Sequence, residues 1–123
     1  MYKLNKSEVP QRQREGLLSH ILIQQDDVPN TQLSVTWVEV EPGASQKPHK
    51  HPPEQCYIII QGRGKMNVGE ENSIVERGDI IYIPSDSVHF ITNQGDTTLI
   101  YISASTPAYD FKALYDEGSL KKQ

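Results

Sequence analysis

Only one cysteine, Cys56, occurs in 123 residues. A lone thiol excludes an internal disulfide and any zinc finger built on several cysteines. It agrees with a reducing compartment, so a cytoplasmic location is expected. Basic charge is also short: 12 Lys and Arg stand against 16 Asp and Glu, a formal net charge of −4. A nucleic-acid groove needs a basic face, so no nucleic-acid partner is expected. Long apolar runs are missing. The longest, Cys56 to Ile60, falls far short of the ~20 residues a membrane span requires, and Met1 to Gly16 carries no apolar signal-peptide core. No membrane partner is therefore expected. No segment is of low complexity and no internal repeat stands out. The length suits a single domain over residues 1–123, with one core.

What is present is a succession of short β-type runs between turn residues. Residues 1–16 mix charges with Pro10 and Gly16 and read as a mobile lead-in. Strands are expected over residues 17–25, 33–41, 56–61, 65–68, 73–76, 80–83, 89–92 and 99–104, each bounded by Gly, Pro, Asn or Asp. Gly62-Arg63-Gly64 reads as a hairpin turn. Strands this short and this frequent predict an all-β sandwich or barrel. In the tail, residues 107–123, the spacing of Phe111, Leu114 and Tyr115 predicts a short amphipathic helix, with Gly118 as its cap.

Chemistry concentrates in residues 43–93. Three of the four histidines lie there: His49, His51 and His89. His49 and His51 are two apart, so on an extended strand both leave the same face. Two imidazoles so placed suit a divalent metal. Gln55 follows at an even step and shares that parity, provided Pro52-Pro53 does not shift the strand. With a one-residue shift, Glu54 would be the ligand instead. His89 joins the set only if its strand meets the first in space. A lone histidine such as His20 is more often structural than ligating.

These two segments resemble the paired motifs of the cupin superfamily. Gly43, His49, His51 and Gly62 match the first motif, and Gln55 stands where the family usually has Glu. Gly78, Pro84, His89 and Asn93 match the second, and Asp86 stands where the family usually has Gly. The resemblance implies a cupin jelly-roll β-barrel. It implies one divalent transition metal ion (Zn, Fe, Ni, Mn or Cu) on His49, His51, Gln55 and His89. It also implies a small-molecule ligand or substrate, and a homodimer, for which the apolar run Leu17 to Ile23 would be the exposed edge. The activity implied is that of a small metalloenzyme of dioxygenase, isomerase or decarboxylase type, the alternative being a non-catalytic module that binds a sugar or small acid. Pocket walls are expected from Tyr57, Ile59, Ile91 and Trp37. A neutral amide in place of the usual carboxylate leaves the ion its full charge, which favours anionic ligands. The unperturbed imidazole pKa of ~6.5 predicts that protons displace the metal below about pH 6.

Overall fold

The computed structural model describes residues 1–108 of the chain. The expected tail helix lies outside the described residues. Nine strands follow a single 3-10 turn, Lys6–Glu8: β1 (Gln11–Arg14), β2 (Leu17–Ile23), β3 (Ser34–Val40), β4 (Glu54–Gln61), β5 (Arg63–Val68), β6 (Glu71–Glu76), β7 (Ile80–Ile83), β8 (His89–Thr92) and β9 (Leu99–Thr106). They form a six-stranded sheet in the order β1-β2-β3-β9-β4-β7 and a three-stranded sheet in the order β6-β5-β8. All pairings are antiparallel.

Eight strands fall where alternation and turn residues place them. The ninth, β1, reads Gln-Arg-Gln-Arg and has no apolar period to announce it. It forms because Glu15 and Gly16 both take positive φ, at 49° and 88°. That two-residue turn folds the lead-in back onto β2. Residues 11–14 are thus a paired edge strand, and its arginines guard the edge against further pairing. The same pairing corrects the expectation for Leu17 to Ile23. β2 has β1 on one side and β3 on the other, so this run offers no free edge to a partner chain.

A second correction concerns Gly62. The chain does not double back there, because β4 and β5 lie in different sheets. Gly62 is the corner between them. Its φ is +86°, and a Cβ would sit 2.9 Å from the Thr98 carbonyl oxygen, so only glycine fits.

Between the sheets lies a core to which both contribute. Val38, Val40, Tyr57, Ile59, Ile83, Leu99 and Tyr101 come from the large sheet, and Met66, Val75 and Ile91 from the small one. Each such side chain contributes roughly 1.5–3 kcal/mol by leaving water. The barrel therefore has a source of stability independent of any metal.

Residues 43–49 run antiparallel along β8 and extend the small sheet. Isolated bridges pair Ser45 with Thr92 and His49 with His89. The backbones of His49 and His89 exchange both hydrogen bonds, N–H to O, at 3.2 and 2.8 Å. This register brings together two histidines forty positions apart in sequence.

Candidate metal centre

From His49 to Ile59 the odd-numbered residues are all buried, and the even ones are exposed or half-buried. Pro52-Pro53 does not shift this alternation. Both prolines precede the first residue of β4, so no ladder hydrogen bond is sacrificed. A corner also clamps the segment. The Ser85 hydroxyl donates to the Pro52 carbonyl, and the Asp86 N–H donates to the His51 carbonyl at 2.9 Å. Asp86 takes φ 59°, the left-handed conformation that glycine or Asp tolerates. Asp can thus stand at this corner.

The consequence is a cluster of three buried imidazoles. His49, His51 and His89 are 8, 7 and 0% exposed. One ring nitrogen of each lies within 4.8 Å of those of the other two. Ring centroids are 4.1 Å apart for His49 and His89, 5.2 Å for His51 and His89, and 6.0 Å for His49 and His51.

Each Nδ1 meets a backbone carbonyl two residues away. The partners are Lys47 for His49 at 2.9 Å, Pro53 for His51 at 3.0 Å and Ser87 for His89 at 2.9 Å. A carbonyl only accepts, so Nδ1 carries the hydrogen in all three rings. In the neutral imidazole the lone pair is then on Nε2, the tautomer of a histidine that ligates a metal through Nε2. Burial lowers the pKa of His49 to about 3, helped by the neighbouring His89 and His51 and opposed by the Lys47 carbonyl. Burial likewise lowers that of His89 to about 4, opposed by the Ser87 carbonyl. These two rings resist protonation and keep the basic nitrogen that a metal needs.

Gln55 is buried at 6% exposure on the inner face of β4. Its Nε2 donates to the Ser103 hydroxyl at 2.7 Å. Its Oε1 is buried without a hydrogen-bond partner, and so is His89 Nε2. Buried polar atoms are rarely left so. An unpartnered amide oxygen and an unpartnered imidazole nitrogen are both electron-pair donors, and a cation satisfies both. The residues present fit a divalent transition metal held by imidazole with an added oxygen ligand. Glu54 is exposed on the opposite face, where its carboxylate accepts from the Tyr82 hydroxyl at 2.8 Å.

Of the expected wall residues, Tyr57 lies beside His89, with centroids 6.0 Å apart and planes at 78°. It also stacks on Tyr101 at 4.1 Å. Ile59 and Ile91 are packed in the core. Trp37 is a correction. Thr36 and Val38 turn inward, so Trp37 faces the other side of β3, where its Nε1 donates to Glu39 at 3.1 Å. Alternation places it on the outer face, and no pocket wall comes from it.

Two features escaped the sequence. Gln46 ties the tyrosines together: its Nε2 donates to the Tyr101 hydroxyl at 2.8 Å and its Oε1 accepts from the Ile91 N–H at 3.1 Å. It sits at an unconstrained position between the motif Gly and His, and nothing marks it. The other feature is a wall of hydroxyls. Ser34, Thr36, Ser103 and Ser105 are all buried on the inner faces of β3 and β9. The alternating serines of Ile-Ser-Ala-Ser-Thr were the available signal.

The Cupin domain family model matches residues 36–105, more than half of the chain. The chain belongs to the cupin family. This cupin is 32% identical over 97 residues to an uncharacterised protein of Methanocaldococcus jannaschii, covering 78% of each chain. It is 30% identical over 67 residues to an oxalate-binding protein of Thermotoga maritima, covering 54% of this chain and 55% of that one. Its fold matches the crystal structure of a predicted oxalate decarboxylase from Thermotoga maritima with a TM-score of 0.77 at 20% identity, over 86% of this chain and 99% of the other. Among the described residues no helix is long and apolar enough to cross a membrane.

Proposed function

We propose that this cupin binds one divalent transition metal through His49, His51, His89 and the Oε1 of Gln55, and uses it to hold a small oxygen-bearing anion. The observation that carries this reading is the convergence of three imidazole nitrogens within 4.8 Å, each ring held through Nδ1 by a backbone carbonyl. A bound ion would supply Lewis acidity, polarising an oxygen of the ligand. The chain's own part is to exclude water and to seat the ligand. Burial of all three imidazoles lowers the local dielectric, which strengthens any charge interaction within the site. Tyr57, beside His89, offers a phenol at the edge of the site.

The ligand set favours anions because none of its four members is charged. The Thermotoga maritima relative described as oxalate-binding supports a small carboxylate. The activity we propose is that of a small metalloenzyme on such an acid, of the decarboxylase, isomerase or dioxygenase type.

Calorimetry of metal-loaded wild type and Gln55→Glu against small carboxylates tests the reading. The variant should keep the metal while its anion affinity falls about tenfold, because the added carboxylate cancels one unit of charge. Equal anion affinity in both proteins would show that Gln55 is not at the metal. Consumption of a bound acid by the wild type separates enzyme from binder.

A further inference from the structure

Cross-strand register puts the hydroxyl wall beside the proposed metal ligands. Across β3, β9 and β4 one row runs Ser34, Ser105, Gln55, and the next runs Thr36, Ser103, Tyr57. All six point to the interior and none is more than 6% exposed. Each fully apolar side chain here would have stabilised the fold by burial. A patch of six hydrogen-bonding side chains in a barrel interior therefore has a cost that some other requirement must offset.

Within this patch the partners differ. Ser103 accepts from Gln55. Ser105, directly opposite Gln55 and 2% exposed, has no hydrogen-bond partner for its Oγ. The unpartnered oxygen of Gln55 lies on the same row. A buried hydroxyl left open beside an open ligand position is a group that an entering ligand can satisfy.

We propose that Ser105 is a ligand-recognition residue. Its hydroxyl bonds an oxygen of the bound anion beyond the carboxylate that meets the metal, so that the pocket selects hydroxy-, oxo- or dicarboxylates over simple fatty acids. This rests on the metal reading above. A simple alkyl acid would leave the Ser105 hydroxyl buried and unpaired, whereas an acid with a further oxygen satisfies it. Discrimination then comes from the unpaired group, the mechanism by which polar sites reject analogues that lack an oxygen.

The test uses the full chain, stripped of metal and reloaded with Zn(II), with propionate, lactate, glycerate and malonate as calorimetric probes. Wild type should bind at least one of the three oxygen-rich acids about tenfold tighter than propionate. Ser105→Ala should lose most of that preference while its Zn(II) affinity stays unchanged. The metal-free Ser105→Ala protein should melt no lower than wild type, because its hydroxyl has no partner to lose. An unaltered preference in the variant overturns the proposal, as does a wild type without any preference. A clear drop in melting temperature also overturns it, by marking the hydroxyl as structural. Failure of the wild type to take up Zn(II) removes the metal reading and this one with it. Zn(II) uptake without the preference removes this one alone.

Discussion

Histidine is buried on both sides of the large sheet, on its outer face at β2 and in the space between the two sheets, and the two sides treat it differently. On the outer face, His20 is 4% exposed beneath the N-terminal segment. Its Nδ1 lies 3.2 Å from the Lys6 carbonyl oxygen, and its Nε2 lies 3.4 Å from Glu39 Oε2, close enough for an ion pair but short of hydrogen-bond geometry. That same oxygen accepts from Trp37 Nε1 at 3.1 Å and faces the Lys6 ammonium at 3.6 Å. Lys6 also sits 5.7 Å above the Trp37 ring. On the inner face the carbonyl contacts recur, but among the described residues the cluster holds no carboxylate. The buried histidine of the outer face has a carboxylate beside its second nitrogen. Three imidazoles that converge on one another fit a cation. Burial alone does not make a ligand; the partner of the second nitrogen does.

The strongest test of this contrast is to delete one histidine from each face. His89→Ala should abolish stoichiometric metal uptake by the apo-protein, while His20→Ala should leave uptake at wild-type level. Elemental analysis after reloading with Zn(II) reads both. The core of ten apolar and aromatic side chains meets the imidazoles at Tyr57 and keeps all its members without His89, so His89→Ala should stay folded. Equal uptake in the two variants would dissolve the distinction between the faces.

How far the sequence could have drawn this contrast differs from residue to residue. The spacing of His49, His51 and Gln55 carries a face assignment on its own, because strand alternation has period two. His89 became part of the set through the resemblance, and the structure supplies the physical cause in the bridge between His49 and His89. Trp37 was misplaced because a strand pattern states which residues share a face but not which face is inside. In Ser34–Val40 each face mixes polar and apolar residues, Ser34 and Thr36 with Val38 and Val40 on one and Glu39 with Val35 and Trp37 on the other, so the pattern has no clear polar side. β1 was missed because a wholly polar edge strand obeys no hydrophobic period. Ser103 lies within the expected strand 99–104 and Ser105 just beyond it, and the pattern singles out neither. Their importance comes from register with β4, a relation between segments more than forty residues apart.

A second test uses protons in place of mutations. His49 and His89 have folded-state pKa values of about 3 and about 4, below the unfolded value of ~6.5. Between these limits the unfolded chain binds more protons than the folded one. Apo-protein stability is therefore fully present above about pH 6.5 and is lost as pH falls toward 3, with a slope approaching 1.4 kcal/mol per pH unit for each histidine, about the full linkage limit. The same burial moves the expected fall in metal affinity to lower pH for these two rings, since protons compete poorly for them. Denaturant unfolding of the apo-protein at successive pH values should show the slope. It should shrink in His49→Ala and again in His89→Ala. A slope that survives the loss of His49 and of His89 would show that these imidazoles are not the titrating groups.

The smallest effect concerns the groups that stand where the two faces differ most, Glu39 outside and Gln55 inside. Glu39 brings its own charge and gathers three partners. Gln55 is neutral and has two unlike ends, so its orientation matters. The Ser103 hydroxyl accepts from its Nε2 and so leaves the oxygen for the metal. In Ser103→Ala the buried amide nitrogen loses its acceptor, and the carbonyl end is no longer held in place. Metal affinity should fall by up to about tenfold, the low end for groups that orient a ligand. It should never fall more than in Gln55→Ala, since Ser103 acts through that side chain. In a double-mutant cycle the two losses should therefore not add, and Ser103→Ala should change nothing once Gln55 is Ala. Competition for Zn(II) against a coloured chelator measures all four proteins. Additive losses would show that Ser103 reaches the metal site by another route, and that the amide oxygen of Gln55 is not held for the ion.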